Sequence, residues 1–334
     1  MGGNGSSTEV SRSPIRVTGV WARGFTLEPS WREAATVLPA HRGLAGGLTL
    51  NLPRPAVNLD LGWQHSVFLR DDSRPVYQTG PMVGTTQTSP GALRQATAVV
   101  PHLVIDGQEV RGGLGVSLYD GFELRLSSWL GIGFGVAQFH PLLGDDPSQI
   151  SLSAQVSVGE TPPSQESFLS DMTSAAGHMV AAARFAELQQ AIARVPGLRG
   201  NGLDIGLGLV SDLNGAMAVR NLVRGAYLMS PGGANLLGAA LTLAGGTALA
   251  GGASSDDLPL FTTGVIAAGS GLQILCRLFS DGGRNADEQL VCRSIVVGVF
   301  AAVSGVVIGT NSNQARRAFG LNLAIPALGF GLSF

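Results

Sequence analysis

Leu114-Gly115-Val116-Ser117-Leu118-Tyr119-Asp120-Gly121-Phe122-Glu123-Leu124-Arg125-Leu126 is the stretch that decides the fold class. Leu114, Val116 and Leu118 alternate with Gly115 and Ser117. Phe122, Leu124 and Leu126 then alternate with Glu123 and Arg125. Successive side chains on a strand point to opposite faces, so this two-residue period describes a sheet with one apolar and one polar face. Between the halves, Asp120-Gly121 reads as a hairpin turn, since glycine tolerates the positive φ that tight turns require. Downstream, Ile132, Phe134 and Val136 alternate with glycines, and Ile150, Leu152, Ala154, Val156 and Val158 keep the rhythm. Upstream, Leu48, Leu50 and Leu52 do the same, followed by Val57-Asn58-Leu59-Asp60-Leu61-Gly62-Trp63-Gln64. Residues 44–160 are therefore expected as an antiparallel β region. Residues 71–92, rich in Asp, Pro, Gly and Thr, read as a long loop within it. Residues 1–43 read as a flexible arm with one short apolar element near 17–25.

Composition says what surrounds these strands. Charged residues make up only 13% of the 334-residue chain, against roughly 25% in an average soluble domain. Mean hydropathy is +0.26. Aromatics are 6%, so the apolar content comes from aliphatic side chains and Ala, alongside 48 glycines. Too little polarity is present to cover a water-facing surface, and hydrocarbon is the expected solvent. All 21 basic residues are arginine, the formal net charge is -2, and no basic run occurs. Nucleic acid is not expected as a partner, because no phosphate-neutralising stripe exists.

Beyond the strands, residues 161–200 are expected as an amphipathic helix. Thr161-Pro162-Pro163-Ser164 gives a start signal, and Phe168, Met172, Ala175, Met179, Ala183 and Ala186 recur at helical spacing until Pro196-Gly197. Leu203, Ile205, Leu207 and Leu209 alternate again and read as a further strand. Residues 216–229 look helical. Three segments near 233–253, 258–279 and 291–310 each approach the roughly 20 residues of a spanning helix. The third contains Ala301, Gly305 and Gly309, a small-residue ridge of the kind that lets helices approach closely in lipid. Gly-rich strands and hairpins are the competing reading of 233–310. The excess of arginine on one side of the segments does not choose between them, because Arg316 and Arg317 break the alternation.

The chain closes on Gly329-Phe330-Gly331-Leu332-Ser333-Phe334, apolar residues alternating with small ones. This ending resembles the C-terminal strand signal of bacterial outer-membrane β-barrel proteins. The resemblance implies that Phe330, Leu332 and Phe334 act as an assembly signal read by the barrel-insertion machinery. The fold expected from all these signals is mainly β with a substantial helical part. Its form is an antiparallel transmembrane β-barrel with an amphipathic helix and Gly/Ala-rich apolar segments across 201–334, ending in a terminal strand. A β-domain joined to a helical membrane domain is the alternative.

Within a barrel, Asn58, Asp60, Gln64, Glu123 and Arg125 would line the interior. Cys276 and Cys292 flank a polar stretch at the ends of two apolar segments and form a candidate disulfide, which points to an oxidising compartment. The five histidines are scattered singly, and none stands at metal-ligand spacing from a cysteine or carboxylate. No nucleophile elbow, phosphate loop or dinucleotide fingerprint is present. The expectation is a non-enzymatic outer-membrane protein without cofactor, either a passive pore or a structural or adhesion scaffold. Its expected partners are the lipid bilayer, the barrel-assembly machinery and further copies of itself. A membrane-anchored or virus-particle structural protein is the alternative.

Overall fold

A computed structural model describes residues 15–27, 40–53, 56–69, 74–88, 93–144, 147–160, 167–195, 202–279, 286–311 and 314–333. Eight strands form one closed barrel, each antiparallel to its neighbours in chain order. They are β1 (Arg16–Leu27), β2 (His41–Leu52), β3 (Val57–Leu69), β4 (Pro75–Thr88), β5 (Leu93–Asp106), β6 (Glu109–Arg125), β7 (Leu130–Leu143) and β8 (Gln149–Gly159). β1 pairs with β8, Gly24 facing Ala154, and this closes the sheet and removes its edges. The barrel and the helical part predicted from sequence are both present.

Three local expectations are corrected. β1 falls in the stretch read as a flexible arm: its alternation is masked because Trp21, Arg23 and Phe25, of mixed polarity, all point inward and are buried. β4 occupies much of the region read as a loop, where small and polar residues lie on a face covered by protein. Asp120-Gly121 does not turn. β6 runs straight through it, with Asp120 opposite Val136 and Gly121 opposite Gly135. The Asp-Gly turn lies instead at Asp106-Gly107, between β5 and β6, with Gly107 at φ +62°.

Among the described residues seven helices follow: α1 (Phe168–Ala193), α2 (Gly202–Tyr227), α3 (Pro231–Ser255), α4 (Leu258–Leu275, continued by a 3₁₀ turn Cys276–Phe279), α5 (Ala286–Thr310), α6 (Gln314–Asn322) and α7 (Ile325–Gly331). The helix expected over 161–200 is α1, capped by Ser167, whose side chain accepts from Ser170 N. Leu203 to Leu209, read as a strand, opens α2. Here Leu203, Leu207 and Val210 pack on Phe185 and Ile192, while Ile205, Leu209 and Leu213 occupy the opposite, exposed side. A helix that is apolar on two sides imitates a two-residue period.

The apolar segments of 233–310 are helical, and α3, α4 and α5 are each long and apolar enough to cross a membrane. α3 and α4 form an antiparallel hairpin in close contact. Gly238, Gly245 and Gly252 recur every seven residues on α3, and a Cβ on Gly245 or Gly252 would collide with the backbone of Ala268 or Phe261. Close helix approach through small residues therefore occurs in the first two segments. The ridge expected in the third does not pack this way, since a Cβ on Gly305 or Gly309 would meet nothing.

The terminal strand is also corrected. Residues 325–331 form α7, with Leu328 N bonded to Ala324 O and Leu332 N to Leu328 O. Ile325 is fully buried, and Gly329 lies against Ala216 and Val219 of α2. This packing on the bundle holds the segment helical despite its alternation. Phe330 is thus a helical residue and Leu332 follows the helix end; Phe334 lies outside the described residues.

Candidate functional site

Register divides the barrel residues into two sets. One set faces inward and contains Asn58, Asp60, Gln64, Glu123 and Arg125, the polar positions singled out from sequence. The barrel brings most of them into bonded pairs. Thr49 Oγ1 donates to Asp60 at 2.6 Å, and Asn51 Nδ2 donates to Asn58 at 2.9 Å. Glu123 is clamped between Arg94 at 3.0 Å and Arg125 at 2.9 Å. Arg23, missed from sequence, crosses the interior: its guanidinium lies 3.8 Å from the Tyr119 ring centroid and donates to Gln155 at 3.0 Å. Trp21, Phe25, Met82, Val100 and Phe139 fill the remaining space. Two voids between these layers hold about 10 Å³ each. Eight strands leave an interior just wide enough for side chains, and here side chains occupy it.

The other set faces outward and is split in two. Around most of the circumference it is apolar and exposed: Val20, Leu44, Trp63, Val83, Phe122, Phe134 and Leu152 stand free, Phe122 at 66% and Leu152 at 69% of full exposure. Over β4–β7 the outward positions turn polar, as Thr85, Gln87, Gln95, Thr97, Asp120, Gln138 and His140. There α1 lies on the barrel wall, and all of them except the partly exposed Asp120 are buried.

This seam carries bonded polar clusters between wall and helices. Gln95 Nε2 donates to Asp120 at 2.9 Å, and the His178 ring of α1 sits 3.4 Å from the same carboxylate oxygen. His178 Nδ1 meets Asn214 Oδ1 of α2 at 2.9 Å, and Asn214 Nδ2 donates to Gln138 at 3.2 Å. Gln138 in turn contacts His140, which meets Ser148 at 3.2 Å. Further along, Gln87 Nε2 donates to Asp171 at 2.9 Å, and Arg224 of α2 grips the same carboxylate from the other side. Gly177 makes the approach possible, since a Cβ there would enter the side chains of Leu118 and Thr97. Polar groups shut away from water must find partners or cost free energy, so the network fixes α1 in one register on the wall.

No protein-family model matches this sequence, and no curated protein matches it significantly.

Elsewhere, Cys276 at the end of α4 and Cys292 in α5 form a disulfide with a Cα–Cα distance of 5.6 Å. The histidines that appear isolated in sequence separate into inward (His41, His102), outward and exposed (His65), and seam positions (His140, His178). Among the described residues, no group of three or more His, Cys, Asp or Glu side chains is arranged to hold a metal ion. A closed barrel beside long apolar helices is the architecture of a membrane-associated protein, with α3 and α5 presenting most of their apolar length outward.

Proposed function

We propose that the protein is an integral outer-membrane scaffold, in which a side-chain-filled barrel anchors a helical bundle in the bilayer. The observation that carries this reading is the outward apolar band of the barrel, which gives way to buried polar residues where the helices cover it. Exposed aliphatic and aromatic side chains on that scale cost free energy in water and none in hydrocarbon. Barrel and helices can share one bilayer here because each satisfies its backbone hydrogen bonds internally, the barrel by closure and the helices along their length. The disulfide supports an oxidising compartment. The filled interior favours a structural role over conduction. In this reading the lipid bilayer and the insertion machinery are its partners. Self-association would use the exposed faces of α3 and α5.

A second reading keeps the barrel out of lipid and inserts only the helices, as a membrane-anchored or particle protein would. It is favoured by the spanning length of α3, α4 and α5. One experiment separates the two. The full chain is refolded into phosphatidylcholine vesicles with a single fluorophore at residue 134 on the barrel or 299 on α5, and quenched with bromine-labelled acyl chains. Quenching at both positions is the expected result. Quenching at 299 alone supports the anchor, and a chain that stays monodisperse in plain buffer, unquenched at both, refutes the scaffold.

A further inference from the structure

Between the ends of α1, α2 and α6 and the α3–α4 connection lies a cavity of about 830 Å³ that the scaffold reading does not use. This is within the usual size range of small-molecule sites, roughly 300–1,000 Å³. Its walls include the aliphatic side chains of Ile205, Leu209 and Leu258 and the ring of Phe319. Polar side chains also line it, among them Asp212 of α2 and Gln189 of α1, each more than nine-tenths buried. Asp212 Oδ1 and Gln189 Oε1 are both without a hydrogen-bond partner. Both are acceptors. A buried acceptor left without a donor costs about 1–3 kcal/mol, more when charged, and two on residues that line one cavity of mixed polar and apolar walls describe a complement for a donor.

We propose that this cavity binds a small organic amine, its ammonium group donating to Asp212 Oδ1 and Gln189 Oε1 and its hydrocarbon body lying on Ile205, Leu209 and Leu258. An ammonium offers three donors and no acceptor, which matches two orphaned acceptors and would pair the buried charge. An alcohol has one donor to share, and a carboxylate would face Asp212 with like charge. The titratable groups around the cavity are Asp204 and Asp212 on α2, Asp256 after α3, Arg194 after α1 and Arg317 on α6. Arg194 and Arg317 are exposed at the rim, and neither bonds to Asp212. Burial pushes the Asp212 carboxyl up to about 7. Because the bound ammonium favours the ionised form, binding strengthens as pH rises through that value and then levels off while the amine stays protonated.

The test is calorimetric titration of the full chain in maltoside micelles with 4-phenylbutylamine, 4-phenylbutanol and 4-phenylbutyrate, each corrected for uptake by empty micelles. The amine is expected to saturate one site, with the alcohol weaker by about tenfold and the carboxylate not binding, as follows from losing one charge-assisted bond. Asp212→Asn, which keeps the shape, is expected to lower amine affinity by about tenfold or more and to abolish its pH dependence. The same variant without ligand is expected to melt at or above the wild-type temperature, because it removes an unpaired buried charge. Gln189→Met serves as a second variant with an intermediate loss. Equal binding of amine and alcohol, an amine affinity unchanged in Asp212→Asn, or no saturable binding of any probe would overturn the proposal. The cavity and the lipid-facing band are scored separately, so failure of one leaves the other standing.

Discussion

Asp171→Ala is the sharpest perturbation of the seam. The carboxylate is fully buried and joins three elements at one point. Arg224 Nε of α2 donates to both of its oxygens at 3.1 Å, Arg224 Nη2 lies at 3.0 Å, and Gln87 Nε2 of β4 donates at 2.9 Å. Removing the carboxylate leaves a guanidinium and an amide facing a methyl group. Breaking a buried ion pair from one side costs about 3–5 kcal/mol. The Arg224 side chain is 23% exposed and regains part of its hydration, so the lower end, about 3 kcal/mol, is expected. Arg224→Ala strands Asp171 in turn and is expected to cost a similar amount. The double variant carries no orphaned charge and loses less than the sum, with a coupling of about 2 kcal/mol. The assay is equilibrium denaturation in micelles followed by tryptophan fluorescence, paired with limited proteolysis. The barrel is expected to keep its heat-modifiable gel mobility in all three variants while the helices become protease-sensitive at lower denaturant. Additive single variants, each within about 0.5 kcal/mol of wild type, would refute the claim that the seam holds the two halves together.

Gly177→Leu places a side chain into Leu118 and Thr97; overpacking of this kind costs about 1–3 kcal/mol, read as earlier proteolysis of α1 in the same assay. Phe134→Arg on the outward band is expected to reduce folding stability in vesicles by about 2–4 kcal/mol near the bilayer centre, whereas Arg42→Lys, also outward but already charged, should change little; an unaffected Phe134→Arg variant would place that face in water. Replacing Cys276 and Cys292 by serine opens a loop with a sequence separation of 16 and is expected to cost about 3 kcal/mol, measured as a drop in the denaturation midpoint of the helical part. Planar-bilayer recordings are expected to show no steady conductance from the intact chain; a stable open channel would contradict the filled interior.

The strand period was legible wherever one face is apolar and the other small or polar, as in β2, β3, β6, β7 and β8. It failed where the barrel's own architecture overrides local chemistry. β1 mixes Trp21, Arg23 and Phe25 on one inward face because their partners, Gln155 and Tyr119, come from β8 and β6. No local window contains that information. Asp120-Gly121 and Asp106-Gly107 have the same turn chemistry, and only cross-strand pairing chooses between them. Gly121 is held extended because its neighbour Gly135 lets the two backbones pair without side chains between them. The C-terminal alternation from Leu328 onward failed for the opposite reason: burial of Ile325 and contact of Gly329 with α2 supply long-range packing that a strand pattern cannot reveal.

The seam was hidden by an assumption rather than by a lack of signal. Reading each polar strand residue as interior treats the outward face as uniformly apolar. Gln87, Gln95, Thr97, Asp120 and Gln138 share a parity with exposed residues such as Val83, Val99, Phe122 and Phe134 on their own strands, so their polarity is out of phase with a barrel surrounded by lipid. Outward polar residues on four consecutive strands require something other than hydrocarbon against that side of the wall. The helix that follows supplies it, with Asp171, Ser174, Gly177 and His178 spaced to lie along one side of α1. The polar positions out of phase on the strands and the polar side of α1 are complementary, and together they mark barrel and helix as partners. What sequence could not provide is the third member, because Asn214, Asn221 and Arg224 reach the network from α2, a separate helix whose placement depends on long-range packing.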